Sequence, residues 1–373
     1  MTSRGRLVIT INTAWNIVNF RSGLVRALVA EGYEVLAAAP SDPVAEAALA
    51  EMGARFAPLP MESRTTSVAH DLGIFARYRA LFRRERPLAM LGYTIKPNTY
   101  GSIAARGAGV ARINNISGLG TGFMRPGLLN RVVRGLYRQG LRGSDRVFFQ
   151  NADDRDLFLS LGLVQSVQAQ LLPGSGIDLD RFAAAPQPDN PAPLLLFIGR
   201  MLGDKGVREL IDAARIVRRA HPDVRFRLVG FLDVDNRTAI GRHEVESWVT
   251  EGLIEYQPPL ADVRPAIAAA DAVILPSYRE GTSRVLLEAA AIGRPLIATD
   301  VPGCREVVSD GENGFLCAPR NAASLADAIH RFLALDAAGR ARLGAASRAL
   351  VERDYAEQRV IDAYLTALDA LPR

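Results

Sequence analysis

The sequence predicts an α/β protein made of two domains, each with a parallel sheet. Short β-rich runs alternate with helical patterns along the 373 residues, beginning with the strand RLVITIN and a helix over Ser22 to Glu31. The alternation pauses at Pro173 to Pro193, a segment rich in Pro, Gly and Asp, and restarts with the strand LLLFIGR. We therefore expect two Rossmann-like domains that face each other across a cleft.

The predicted boundaries follow from that interruption. They place an N-terminal domain at residues 1–172, a linker at 173–193 and a C-terminal domain at 194–355, with a last helix over 356–373 that packs back on the N-terminal domain. Ligands of such sheets bind beyond the carboxyl ends of the strands. The loops after LLLFI, RFRLV and AVILP are therefore expected to line one site.

Composition and charge narrow the function classes. No run of 18 apolar residues occurs and the first residues lack the layout of a signal peptide, so we expect a cytoplasmic protein. Cys304 and Cys317, the only cysteines, are expected to be reduced. Residues 1–172 carry 21 Lys and Arg against 12 Asp and Glu, whereas the remainder carries 24 against 28. A basic half is suited to an anionic lipid surface, nucleic acid or a diphosphate-bearing ligand.

Two glutamates lie eight positions apart where the strand AVILPS meets the next helix. Glu280 is in the loop, and Glu288 is about five residues into the helix, roughly 7 to 8 Å along its axis. Between them, the amides of Gly281, Thr282 and Ser283 are expected to be free at the helix N-terminus, which suits a phosphate oxygen. The sequence therefore predicts a seat for a diphosphate.

The run E-G-T-S-R-V-L-L-E resembles the E-x7-E signature of family 4 glycosyltransferases, which are retaining, metal-independent and GT-B in fold. The resemblance extends to GRMLGDKGV, TDVPGCREVV and DGENGFL, in the family's order. It implies that Arg200 and Lys205, in the loop opened by Gly199, hold the donor diphosphate. It also implies that Glu280 contacts the transferred sugar and Glu288 the ribose hydroxyls. The donor is then a UDP-sugar co-substrate, with no cofactor and no metal required.

The stretch from Tyr93 to Phe123 is similar to bacterial family members that add a hexosamine, typically N-acetylgalactosamine, to an undecaprenyl-diphosphate-linked saccharide. This resemblance implies a lipid-linked acceptor on the N-terminal domain. The acceptor residues we expect there are Lys96, Asn98, Tyr93, Arg21, Gly118 and Gly120. The segment MLGYTIKPN has no histidine, although many family members carry one near the sugar, so that residue's role is in doubt here.

Two arginine-rich stretches favour contact with a membrane surface. Arg125 to Arg142 contains five arginines, no acid and apolar residues at helical spacing, and Ala76 to Arg86 adds five arginines and one glutamate. We expect peripheral association with the inner face of the plasma membrane. The alternative is that each apolar stripe packs on the first sheet while the arginines face water; both can hold.

Other functions remain as alternatives or are disfavoured. The same architecture occurs in sugar-nucleotide 2-epimerases, and a non-catalytic binder of sugar nucleotides or lipid-linked sugars is a second alternative. The segment Asp233-Val-Asp235 reads as a turn rather than a metal site. No G-x-G-x-x-G follows a strand, which disfavours a dehydrogenase. The basic stretches lack interleaved aromatic residues, which disfavours nucleic acid as a partner.

Overall fold

The chain is described from a computed structural model that covers residues 3–61, 68–119, 123 and 127–372. It divides into two compact units. The first contains Met1–Ser175 and Glu357–Arg373, and the second contains Gly176–Ala356. The predicted last helix therefore belongs to the first unit, because its residues pack on that unit's core.

Seven parallel strands form the sheet of the first unit, in the order β3-β2-β1-β4-β5-β6-β7. Leu7 and Ile9 point into the core on one face, whereas Val8 points into the core on the other. This alternation accounts for the apolar run Leu7–Ile9 within β1, as expected for a strand buried on both faces. The strands are β1 Arg6–Thr10, β2 Glu34–Ala39, β3 Arg55–Pro58, β4 Ala89–Tyr93, β5 Ala111–Ile116, β6 Arg146–Phe149 and β7 Ala169–Leu171.

Helices cover both faces of this sheet. The helices α2, α3 and α14 share a core with Leu7 and Ile9, and α4 and α5 share one with Val8. A π-helix over Pro97–Gly101 precedes α5. The helices are α1 Ala14–Phe20, α2 Ser22–Ala30, α3 Pro43–Glu51, α4 Val68–Glu85, α5 Ser102–Gly107, α6 Leu128–Leu141, α7 Ala152–Ser160 and α14 Glu357–Asp369.

The second unit has a six-stranded parallel sheet in the order β10-β9-β8-β11-β12-β13. Its strands are β8 Leu194–Ile198, β9 Arg225–Val229, β10 Glu255–Gln257, β11 Ala272–Leu275, β12 Leu296–Thr299 and β13 Gly314–Cys317. A 3-10 helix over Gly203–Lys205 precedes α8. The helices are α8 Val207–Ala220, α9 Arg242–Thr250, α10 Arg264–Ala268, α11 Arg284–Ala291, α12 Ala322–Leu333 and α13 Ala337–Asp354.

The segment predicted as a linker, residues 173–193, is instead divided between the units at Ser175 and Gly176. Its later part is fastened to the second unit by side chains that bind its backbone. The fully buried Arg294 donates to the carbonyls of Ala185, at 2.9 Å, and Pro186, at 2.5 Å. Arg348 donates to the Phe182 carbonyl at 2.8 Å. A segment rich in Pro and Gly is thus held by long-range donors that local composition does not reveal.

Among the residues that the structure describes, no helix has both the length and the apolarity needed to cross a bilayer.

Candidate donor and acceptor sites

The candidate donor site lies in the second unit, at the carboxyl ends of β8 and β11. The loop after β8 carries Arg200 and ends in the turn that holds Lys205, and the loop after β11 carries Glu280. Because β8 and β11 are neighbours in the sheet, their loops start side by side. The ammonium of Lys205 donates to Oε1 of Glu280, and the two side chains are 21% and 16% exposed. The sheet thus brings together two residues that are far apart in sequence.

Gly206 makes the close approach of these loops possible. Its φ is 71°, and a Cβ there would lie 2.0 Å from the Pro276 carbonyl oxygen. Only glycine tolerates both the left-handed backbone and that contact. On the other side of the contact, the carbonyl of Asp204 accepts hydrogen bonds from the Tyr278 amide at 3.0 Å and the Ser277 hydroxyl at 3.4 Å. Lys205 is therefore held against the Glu280 loop by its neighbours' backbone.

A third loop, after β12, accepts backbone hydrogen bonds from the Glu280 segment. The amide of Glu280 donates to the Pro302 carbonyl at 3.0 Å, and the amide of Ser283 donates to the Gly303 carbonyl at 2.9 Å. A Cβ at Gly303 would lie 2.5 Å from the Glu280 backbone, so this position also requires glycine. Cys304, on the same loop, is fully buried, and burial raises the pKa of its thiol well above the ordinary value. The motif around Thr299 to Cys304 therefore shapes the donor loop.

One expectation for the predicted diphosphate-binding site, that the Ser283 amide is free, is wrong. The amide of Ser283 is not free, because it is bound by the Gly303 carbonyl, and the Ser283 hydroxyl caps α11 by accepting from the Leu286 amide at 3.4 Å. Gly281 is buried and Thr282 is half-buried at the same helix N-terminus. Ser283 therefore orders this end of α11, where the helix dipole still favours an anion.

Glu288, the second glutamate of the motif, lies on the fifth residue of α11 and is 12% exposed. Its Oε1 accepts a hydrogen bond from Nε of Arg284 at 2.9 Å, and Arg284 also donates to the Gly176 carbonyl at 2.5 Å. Burial raises the pKa of Glu288 above its ordinary value, and the positive charges of Arg284 and Arg181 act against that rise. Arg284 was not predicted from the sequence, although its spacing of four from Glu288 predicts an ion pair on one helix face.

Tyr278 was missed as well. Its hydroxyl donates to Oε1 of Glu209 on α8 at 2.5 Å, and the Arg320 guanidinium lies 4.6 Å from the centre of its ring. Burial and the Glu209 carboxylate raise the pKa of Tyr278 to about 12. This hydrogen bond therefore also connects the Glu280 loop to α8, the helix that follows the Lys205 turn. Tyr278 and Glu209 are 69 residues apart, and nothing in the local pattern pairs them.

Arg200 differs from the other predicted donor residues because its side chain is exposed. Among the described residues it forms no ion pair or hydrogen bond that would hold its guanidinium. Gly199 precedes it, and the Gly199 amide donates to the Val229 carbonyl at 2.9 Å, which continues the pairing of β8 with β9. Arg200 is thus presented to solvent from a fixed backbone.

The predicted acceptor residues lie in the first unit, near the carboxyl ends of β1, β4 and β5. Lys96 is only 12% exposed and its ammonium lies 3.0 Å from Asp71, which also accepts from the Tyr100 hydroxyl at 2.7 Å. Lys96 is therefore not a solvated surface lysine. Gly118 has a φ of 120°, a conformation that favours glycine, and Gly120 lies outside the described residues.

Asn98 does not fit the predicted acceptor role. Its side chain is fully buried, donates to the Asn115 carbonyl at 2.8 Å and accepts from the Asn114 amide group at 2.9 Å. Both ends of the Asn98 amide are thus used within the fold. We correct the prediction accordingly and assign Asn98 to a buried polar network that includes Ser102 and Ser144.

Arg21 and Tyr93 come together, as the prediction of a shared site requires. The Arg21 guanidinium lies 4.0 Å from the centre of the Tyr93 ring, and the two side chains line a cavity with Asn115 and Tyr364. That cavity holds about 10 Å³, room for about one water molecule. It is too small for a saccharide, so an acceptor role for Arg21 and Tyr93 stays a prediction.

No group of three or more His, Cys, Asp or Glu side chains in the described part of the chain is arranged to hold a metal ion. Asp233, in the segment read as a turn, pairs with Arg242.

Two family models match the chain. The model described as glycosyl transferase 4-like domain matches residues 18–175, and the model described as glycosyl transferases group 1 matches residues 192–334. The chain belongs to the glycosyltransferases. The first matched region contains the predicted acceptor residues of this glycosyltransferase, and the second contains its predicted donor residues.

Curated relatives of this glycosyltransferase differ among themselves. The N,N'-diacetylbacillosaminyl-diphospho-undecaprenol alpha-1,3-N-acetylgalactosaminyltransferase of Campylobacter jejuni is 27% identical over 255 residues, which are 64% of this chain and 65% of that protein. Glycogen synthase of Mycobacterium tuberculosis is 32% identical over 235 residues, 60% of this chain and 54% of that protein. The match thus spans between about half and two thirds of these relatives' lengths.

Solved structures share the fold of this glycosyltransferase over its whole length. Sucrose-phosphate synthase from Thermosynechococcus elongatus superposes with a TM-score of 0.79 and 20% identity, over 99% of this chain and 100% of that one. Anabaena HepE in complex with UDP-glucose superposes with a TM-score of 0.78 and 18% identity, over the same shares. Two parallel-sheet α/β domains of this kind confirm the predicted GT-B fold class.

Proposed function

We propose that this chain transfers a hexosamine, N-acetylgalactosamine or N-acetylglucosamine, from a UDP-sugar to a polyprenyl-diphosphate-linked saccharide, with retention of configuration. The observation that carries the proposal is the Lys205–Glu280 pair at the carboxyl edge of the second sheet. A cation and a carboxylate held by separate loops at that edge can contact the two halves of a sugar diphosphate. Arg200 lies on the same loop as Lys205, with its guanidinium exposed.

The charges of this site suit departure of a nucleoside diphosphate. Breaking the bond between the anomeric carbon and the phosphate oxygen leaves the electron pair on that oxygen. Arg200, Lys205 and the N-terminus of α11 would offset this charge as it develops. We propose that these groups do so without a metal ion, and chelation by EDTA should then leave the rate unchanged.

Retention is proposed through attack on the face from which the diphosphate leaves. The acceptor oxygen forms the new bond to the anomeric carbon, and its proton moves to the departing phosphate oxygen. In this scheme Glu280 contacts the sugar hydroxyls once the diphosphate has taken its place beside Lys205. Glu288 accepts from the ribose hydroxyls, because an ionised carboxylate is an acceptor only.

Relatives support the donor and acceptor classes to different degrees. Anabaena HepE was solved with UDP-glucose, and its fold matches this chain throughout, which supports a UDP-sugar donor. The lipid-linked acceptor and the hexosamine are supported by the Campylobacter relative, whose name contains both. The name of the glycogen synthase relative contains neither a hexosamine nor a lipid-linked acceptor, so both are tested by direct measurement.

A lipid-linked acceptor implies a protein that works at the cytoplasmic face of a membrane. In the first unit, α6 exposes Leu128 and Val132, which are 78% and 50% exposed, beside Arg131 and Arg138. Tyr137 and Leu141 of the same helix are buried in the core. The helix therefore uses one face for packing and presents a mixed apolar and basic face to solvent, which suits peripheral attachment to anionic lipid.

The test is release of UDP by the purified protein from a panel of UDP-sugars, with and without short-chain polyprenyl-diphosphate saccharides. Release that depends on the acceptor and collapses in Glu280→Ala and Arg200→Ala is expected. Arg219→Ala, which removes an exposed arginine at the far end of α8, should match wild type. Tight UDP binding with no release from any pair in the panel would support the binding-protein alternative instead.

A further inference from the structure

A groove of about 570 Å³ lies between α4 and α5 of the first unit. It is lined by Arg79, Arg83 and Arg86 on one side and by residues 107–110 on the other. Arg86 precedes β4, and Val110 directly precedes β5. The groove is therefore at the amino ends of these strands, the opposite edge of the sheet from Tyr93 and Lys96. Its volume is within the range of ligand sites.

The three arginines are exposed. Within the described residues none of their guanidinium groups forms an ion pair, and that of Arg79 lies 6.0 Å from the centre of the Phe75 ring. Glu85, the acid closest to them in sequence, is buried and pairs with Arg6, at 3.0 Å, and Arg84, at 2.7 Å, instead.

Several surface arginines of the second unit, in contrast, form ion pairs. Arg208 pairs with Glu244 at 2.8 Å, and the same holds for Arg215 with Glu251, Arg225 with Glu255 and Arg331 with Asp310, all within 3.0 Å. Like charges four residues apart on a helix repel each other. The three groove arginines therefore differ from these four paired arginines, and an anion in the groove would remove the repulsion.

Backbone conformation brings the third arginine into the cluster. Arg86 follows the end of α4 with a φ of 44°, the left-handed conformation that usually belongs to glycine at this position. Arg79 and Arg83 are four residues apart, so both lie on one face of α4, and Arg86, just after the helix, lines the same groove. Glycine at position 86 would relax the backbone and remove one charge from the groove.

The opposite wall leaves space for a ligand. A Cβ added to Gly107 or Gly109 would meet no atom within 4 Å. These two glycines keep the groove open and expose the backbone beside the guanidinium groups. A guanidinium group can bind phosphate oxygens with two parallel hydrogen bonds, and each of the three arginines in the groove can do so.

We propose that this groove binds the phosphate or diphosphate group of a ligand, at a site separate from the donor site and from the carboxyl edge of the first sheet. The ligand is either a membrane phospholipid headgroup or a soluble phosphate ester. The proposal does not depend on the transfer reaction, because none of its residues belongs to the donor or acceptor sets.

The experiment measures binding with two probes while UDP is kept saturating to occupy the donor site. The first probe is inorganic diphosphate, followed by hydrogen exchange of residues 104–110. The second is partition onto vesicles of phosphatidylglycerol in phosphatidylcholine, against phosphatidylcholine alone. The groove variant is Arg79→Gln, Arg83→Gln and Arg86→Gln together. Its matched control replaces three other exposed arginines of the same unit, Arg26, Arg77 and Arg84, with Gln.

The groove variant should lose on the order of 100-fold in vesicle partition, because each basic residue near an anionic surface contributes about fivefold. The control should lose at least tenfold less. Gly107→Asp adds a carboxylate at the groove without a steric clash and should reproduce the loss in a protein with all its arginines. Losses with both probes support the site for any phosphate ester, and a loss with vesicles alone supports a lipid headgroup. Equal losses in the groove variant and the control, or unchanged binding in Gly107→Asp, would overturn the proposal.

Discussion

The carboxyl edges of the two sheets each hold a lysine paired with a carboxylate, but the surroundings of the pairs differ. Lys205 and Glu280 come from two loops that follow adjacent strands, and the exposed Arg200 lies on one of them. Lys96 pairs with Asp71, which also accepts from Tyr100, so this carboxylate is shared inside the fold. We therefore expect a ligand to separate the Lys205–Glu280 pair more readily than the Lys96–Asp71 pair, whose carboxylate also binds Tyr100.

The largest effect expected from this comparison is on transfer by Lys205→Met. The variant should lose about 100- to 1000-fold in kcat/KM for UDP release, because a donor that stabilises developing charge is removed. Its free energy of unfolding should change by less than about 1 kcal/mol, since the pair is partly exposed. Lys96→Met is the matched variant in the first unit and should leave UDP affinity at the wild-type value. A Lys96→Met protein with UDP affinity as poor as Lys205→Met would contradict the assignment of the two edges.

Asn98→Ala tests the structural side of the comparison. Removing a buried amide that bonds Asn114 and the Asn115 carbonyl should lower the free energy of unfolding by about 1 to 3 kcal/mol, with little change in kcat for the folded fraction. Denaturant unfolding and UDP release at low temperature measure the two quantities separately. Gln139→Ala, an exposed amide on α6, is the control and should change neither. A stable Asn98→Ala protein with a raised KM for the acceptor would restore Asn98 to the acceptor site.

The fold and the donor motif could be predicted from sequence because both depend on local patterns. The helix predicted over Ser22 to Glu31 is observed over Ser22–Ala30, and the strand LLLFI and the loop with Glu280 lie where expected. The errors concern contacts between residues far apart in the chain. Arg294 holds Ala185 and Pro186 across more than a hundred residues, so composition predicted a linker in their place. The bond from Ser283 to Gly303 likewise depends on a loop twenty residues away.

Arg284→Met should have a moderate effect confined to the ribose part of the donor site. Arg284 holds one oxygen of Glu288 at 2.9 Å, so its loss frees the carboxylate to turn away from the ribose. UDP affinity should fall about tenfold, a change of about 1.4 kcal/mol, and 2′-deoxy-UDP, which lacks one hydroxyl, should lose less. Arg284→Lys should recover part of the affinity, since it restores the charge. Equal losses for UDP and 2′-deoxy-UDP would mean that Arg284 supports the fold and does not position Glu288.

The smallest expected effect is a shift in the pH dependence of UDP binding. Burial raises the pKa of Glu288, so its ionised form, which accepts from ribose hydroxyls, is lost at a higher pH than for an exposed glutamate. UDP affinity should therefore fall as the pH drops through that raised pKa, and a titration of UDP binding against pH follows the decline. Arg284 and Arg181 oppose the rise in pKa, so Arg284→Met should move the decline to higher pH, while Arg219→Ala leaves it in place.

The same proton linkage acts on stability. Because the folded state binds the proton more tightly, the contribution of Glu288 to the free energy of unfolding decreases as the pH rises through its folded pKa. If the pH profile of UDP affinity in Arg284→Met is unshifted, or shifted to lower pH, Arg284 does not stabilise the ionised carboxylate of Glu288. The electrostatic difference between the carboxyl edges of the two sheets would then rest on Lys205 and Arg200 alone.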